Sequence, residues 1–184
     1  MVLPVFLVAL LGFRGLGALG VRRFAAWRSA AAHALAVMLC MTASAHFVPA
    51  GVTVMPTHDD LVQMVPPAVP FPSAAVYLTG VLELLGALGL IISRTRRAAG
   101  YCLALLFVAL LPANIHAAIA GVTLAGEPAA PLWQRIPEQV IYIAAALWVG
   151  RGAKAETTRS IGGGSPVSAC QTGHTEEKVR ASRN

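Results

Sequence analysis

The chain has 184 residues, of which 57% are apolar and 12% charged, with 14 basic against 8 acidic side chains and a formal net charge of +6. An average soluble domain carries roughly twice that share of charge, so the composition points away from a soluble fold and toward a membrane-embedded one of a single domain's length. The basic residues gather on alternate short connections and in the tail instead of lining one face, which excludes a nucleic-acid partner and makes the lipid bilayer the expected one.

Residues 1–20 form the first apolar run. Its positive charge follows the apolar core instead of preceding it, so it reads as an uncleaved N-terminal transmembrane helix and not as a signal peptide. Arg14 lies in its last third, within reach of Arg22, Arg23 and Arg28 by snorkelling. The second span covers about 29–48 and is rich in alanine and serine, which let helices approach closely in lipid. His33 falls at its cytoplasmic end at headgroup level, and His46 at its outer end. Residues 50–72 make an external cap. Pro56, Pro66, Pro67, Pro70 and Pro72 interrupt it, but Thr57 stands three residues before Asp60 and can cap a short helix between them.

The third span, about 73–93, carries the one acid within an apolar stretch, Glu83. An ionised carboxylate at that depth costs roughly 2.5–3.5 kcal/mol even on the lenient insertion scale, so it has to be neutral, paired or beside water. Val76, Thr79, Gly80, Gly86, Ala87 and Leu90 share its helical face. Several of these are small, so Glu83 is expected to point at neighbouring helices. Arg94, Arg96 and Arg97 make a tight basic turn. The fourth span, about 98–120, contains Pro112, expected to kink it, followed by Asn114 and His116. A loop without basic residues, 121–132, leads to the fifth span, about 133–150, which opens on Trp133, Arg135, Pro137, Glu138 and Gln139. The tail, 151–184, loses its hydrophobic periodicity and reads as cytoplasmic and disordered.

The arginines orient five crossings with the N-terminus out and the C-terminus in, the pattern of a multi-pass cell-membrane protein. His46, Asn114, His116, Arg135 and Gln139 then share the outer half of the membrane, with Glu83 below them and His58, Asp59 and Asp60 in the cap above. An outward-facing polar pocket of His46, Glu83, Asn114, His116, Arg135 and Gln139 is the candidate site. Glu83 suits two roles, a proton-transfer group or a strut paired with Arg135 or Asn114. Cys40, Cys102 and Cys170 make no CxxC, and the two span histidines have no second spacing motif, so no metal or disulfide site is expected.

Several stretches together resemble the DoxX-like membrane proteins. These are His46-Phe47, MVPP from Met64 to Pro67 with Pro70 and Pro72, and TGVLELLGALGL from Thr79 to Leu90. The Arg94–Arg97 turn, FVALLPANI from Phe107 to Ile115, and WQRIPEQ from Trp133 to Gln139 complete the series, which spans about 29–150. The resemblance implies an all-α polytopic membrane bundle, a four-helix DoxX-like core with one extra N-terminal helix. It also implies a redox-linked membrane subunit, associated with a quinone or thiol oxidoreductase, with quinone as a possible ligand and a membrane or extracytoplasmic redox protein as partner. The family supplies no catalytic residues to carry over, so no enzymatic step is assigned. Two further functions fit the same residues: a non-catalytic assembly protein, and a binder or carrier of a small amphiphile or lipid.

Overall fold

The computed structural model describes residues 2–161 and is all-α in character. In chain order it has α1 (Leu3–Ala18), a 3-10 turn (Arg22–Phe24), α2 (Trp27–Ala45), α3 (His58–Met64), α4 (Pro72–Ile91) and α5 (Arg96–Ala120). The hairpin β1 (Thr123–Leu124) and β2 (Glu127–Pro128) and the long α6 (Leu132–Ile161) complete it. The five long helices alternate in direction, and α3 and the hairpin lie at the same end of the bundle. Of the five, α4 and α5 are long and apolar enough to cross a membrane.

The centre of the bundle is α2. From Ser29 to Ala36 every residue is buried, so all sides of that helix are covered at once. Only a run of small side chains permits this, because neighbouring helices can then approach from several directions without voids. α1, α4 and α6 pack around it, and α5 closes the bundle against α4 and α6. Leu35, Met38, Leu39, Leu90, Leu103 and Val149 are the largest fully buried side chains.

The ends of the helices are tied by the residues that the charge pattern had marked only as topological signals. Arg96 is buried, and its Nε donates to the Leu90 carbonyl at 2.8 Å while Nη2 reaches the Ile91 carbonyl at 3.4 Å. The guanidinium thus satisfies carbonyls at the C-terminus of α4, where a cation is also favoured by the helix dipole. Arg14 does bend to the basic loop, donating to the Phe24 and Ala25 carbonyls, and its guanidinium stacks over Trp27. His33 is not at a polar surface: it is buried, donates Nδ1–H to the Ser29 carbonyl at 2.7 Å and packs against Phe13 and Phe24.

Three differences from the sequence expectations have local causes. α6 continues through Ile161, past the boundary placed at Gly150, because helix needs only local backbone bonds and residues 153–156, Ala-Lys-Ala-Glu, are strong helix formers; the remaining tail lies outside the described residues. α6 begins at Leu132, so Pro137 sits inside it and not at its start. The loop after α5 contains a two-residue β ladder, closed by Ala125 and Gly126 with φ of 52° and 82°, the paired positive values of a tight hairpin turn.

Where α5 crosses α6, Gly100 makes the contact. A methyl built on it would lie 2.6 Å from the Ala146 carbonyl oxygen and 2.9 Å from Gly150 Cα, both backbone atoms that cannot swing aside. Gly100→Ala is expected to lower the thermal unfolding midpoint in detergent, at a cost of about 1–3 kcal/mol. Gly12→Ala, where nothing lies within 4 Å, should leave the midpoint unchanged or raise it slightly.

Candidate functional site

The buried stripe of α4 is Val76, Gly80, Glu83, Ala87 and Leu90, steps of four and three residues that keep one helical face against α2. Gly80 sets the distance between the two helices. A methyl there would meet His46 Cβ at 2.6 Å and Cγ at 2.8 Å, so glycine is what lets the imidazole lie flat on α4. One turn further along, Glu83 is 5% exposed and faces α2. Its Oε2 lies 2.6 Å from the Thr42 hydroxyl, and its Oε1 lies 3.8 Å from His46 Nε2.

Hydrogen-bond chemistry fixes the state of the imidazole. His46 Nδ1 is 2.7 Å from the Val76 carbonyl, which can only accept, so Nδ1 carries a proton. In the neutral ring Nε2 is then a bare lone pair facing a carboxyl oxygen. That encounter is attractive only when either Glu83 or Nε2 carries a further proton. The Thr42 hydroxyl has a single hydrogen and two acceptors in reach, Glu83 Oε2 and the Leu39 carbonyl at 3.2 Å. When Thr42 donates to Leu39, a protonated Glu83 can donate to the hydroxyl instead. Thr42, Glu83 and His46 therefore form a triad able to hold one exchangeable proton at alternative positions.

The triad is linked to the cap. His58 is buried, donates Nδ1–H to the His46 carbonyl at 2.9 Å, accepts from the Ser73 hydroxyl at its Nε2 at 2.9 Å, and stacks on Tyr77 at 4.1 Å between ring centroids. At the other end of α3, the His116 imidazole bonds the Met64 carbonyl at 3.2 Å and holds the cap to α5. Thr57 and Asp60 form the reciprocal capping box that their spacing predicts, and Asp60 Oδ2 also accepts the Ala125 amide at 3.3 Å, pinning α3 to the hairpin.

Of the six candidate residues, the structure brings His46 and Glu83 together. The other four lie on α5 and α6, and three of them make hydrogen bonds elsewhere. Asn114 donates to the Leu110 carbonyl one turn back in its own helix. His116 serves the cap. Gln139 donates to the Phe107 carbonyl at 2.7 Å. Arg135 is half-buried and, among the described residues, makes no ion pair with Glu83. The contact expected from Glu83 to Arg135 or Asn114 is replaced by those to Thr42 and His46, because the Glu83 face of α4 is turned onto α2. Thr42 escaped notice in the sequence. The available signal was its position four residues before His46, on the same face of the second span. Among the described residues no three histidine, cysteine or carboxylate side chains gather as metal ligands do.

Asp60 lends the cap a pH dependence. The Thr57 amide bonding its carboxylate, at 2.9 Å, holds the Asp60 carboxyl below the usual aspartate range, and the Ala125 amide acts in the same direction. A group depressed on folding stabilises the folded form above its unfolded pKa and loses that contribution as pH falls through the folded value. The hydrogen-exchange protection factors of the Thr57 and Ala125 amides, taken against the intrinsic rate at each pH, should therefore be constant near neutrality and fall only as pH drops below the ordinary aspartate range. In Asp60→Ala the two amides should show low protection at every pH.

The family model described as Domain of unknown function (DUF8561) matches residues 35–150. That interval runs from within α2 to Gly150 in α6 and contains Thr42, His46, His58 and Glu83; α1 precedes it. No curated protein and no solved structure matches the chain. The match corrects the DoxX-like assignment. The short motifs behind that resemblance are a proline-bounded cap, a small-residue helix face beside an acid and a basic turn. Each of these features is short and turns on residue type alone, so together they do not identify a family. The chain belongs to the family of the domain of unknown function DUF8561.

Proposed function

We propose that the chain is a five-span integral membrane protein of the cell membrane, N-terminus out and C-terminus in, whose Thr42–Glu83–His46 triad holds an exchangeable proton in contact with the outer face. The observation that carries the proton-binding reading is the facing of Glu83 Oε1 and His46 Nε2 with Nδ1 already committed to a backbone carbonyl. A carboxyl and an imidazole that attract only when a proton is added constitute a proton-binding site.

Several features support five spans. All five long helices turn large apolar side chains outward, among them Val8 and Leu11 of α1, Met41 of α2, Leu85 of α4, Leu105 of α5 and Val140 of α6. An apolar surface on every side of the bundle is unfavourable in water and suits lipid. The basic residues of the 3-10 turn, of the α4–α5 turn and of Arg151 lie at the end opposite the cap, which supports a cytoplasmic placement for that end.

The proton site serves a reaction that takes up or releases a proton at the outer face. A quinone- or thiol-linked redox step belongs to that class, but its particular support was the DoxX resemblance, and the triad now carries the proposal alone. Infrared difference spectroscopy across a pH titration of the purified protein should show a protonated-carboxyl band that disappears in Glu83→Gln and whose midpoint moves in His46→Gln. A Glu83 carboxyl that never changes protonation would reduce the triad to a structural strut. For topology, single cysteines at Asp59 and Arg94, introduced in a chain without its native cysteines, should label from the outside and the cytoplasm respectively. The reverse pattern would overturn the orientation.

A further inference from the structure

α1 and α6 both pack on α2, and at the cap end of the bundle they leave a groove between them of about 640 Å³. Phe6 of α1 and Tyr142 of α6, both buried, meet edge to face and hold the two helices together. Leu7 and Val8 line one side, and Trp133, Pro137 and Ile141 the other. The volume lies within the range of small-molecule sites and the lining is predominantly apolar, as in such sites.

One feature of the lining does not belong to a purely greasy slot. Glu138, 6% exposed, lies along the groove, and its carboxyl receives a single neutral hydrogen bond, from Gln134 Nε2 to Oε1 at 3.2 Å. Among the described residues no arginine or lysine stands within 4 Å of it. A buried carboxylate needs a cation or several donors to offset its lost hydration, and one amide hydrogen falls short of that.

We infer that the α1–α6 groove binds a single-chain amphiphile with an ammonium head, the head seated against Glu138 and Gln134 and the chain running down between Val8 and Ile141. The ammonium supplies both the charge and the N–H donors that Glu138 lacks. The groove opens near Trp133, a side chain suited to the boundary between headgroups and acyl chains, where such a ligand partitions. This site is separate from the Glu83 triad and does not depend on it.

The test uses the full chain in phosphatidylcholine nanodiscs, with dodecylammonium, dodecanol and dodecanoate as matched probes. Trp133 fluorescence, isolated by difference against Trp133→Phe, should change saturably with dodecylammonium. Dodecanol and dodecanoate should bind about tenfold or more weakly, and Glu138→Gln should remove about the same factor for dodecylammonium alone. Leu7→Phe, which narrows the apolar wall and leaves Glu138 in place, should weaken all three. Equal responses to the three probes, a Glu138→Gln protein as tight as the parent, or indifference to Leu7→Phe would each overturn the proposal.

Discussion

The approach of α4 to α2 at Gly80 is the contact on which the polar interior depends. With a side chain at that position the helices would part, and the His46 ring would lose both the Val76 carbonyl and its place opposite Glu83. Glu83 would then be a carboxyl in an apolar bundle without the imidazole opposite it. The same closeness lets Thr42, one turn below His46 on α2, reach the acid at 2.6 Å. A hydrogen atom at residue 80 thus supports three polar contacts, each of which helps to offset the cost of placing an acid among helices.

Around that seam the bundle follows a simple division of labour. α2 contributes small residues and becomes the axis that other helices wrap. α4, α5 and α6 place small residues at their crossings and large apolar ones outside. The two ends differ in kind: the basic end is closed by arginines that fold onto helix carbonyls, whereas the opposite end is closed by a cap held through imidazoles and a carboxylate. Histidines and acids can change charge with conditions that leave guanidinium unaltered, so chemical responsiveness is concentrated at the cap end.

Much of the architecture was legible in the residues. Hydrophobic run lengths placed the long helices to within a few residues, except for the C-terminal end of α6, which runs eleven residues past Gly150, and the Thr57–Asp60 spacing announced the capping box. The inward face of α4 followed from the small residues that accompany Glu83. The partner of Glu83 was harder, because depth in a helix can be counted along the chain whereas rotation depends on which neighbour each face meets. Asn114 and Arg135 share a depth range with the acid yet sit on helices that the α4 face does not address. The basic turn was legible as charge but not as the carbonyl cap that Arg96 makes, since hydrogen bonds to an adjacent helix end leave no trace in composition. Family membership proved the least legible: short motifs that turn on residue type alone do not identify a family.

His46 is tied at two points to two different elements. Its ring is bonded to α4 through Val76, and its own carbonyl accepts from His58 at the start of α3. A single residue therefore joins the cap to the interior, with no flexible segment between them. Any tilt of α3 pulls on the backbone that carries the imidazole and changes the gap to Glu83. Conversely, a charge change at the pair alters the force that the ring exerts on its own main chain. The cap and the buried acid are in this sense two ends of one lever, with its fulcrum where α2 terminates.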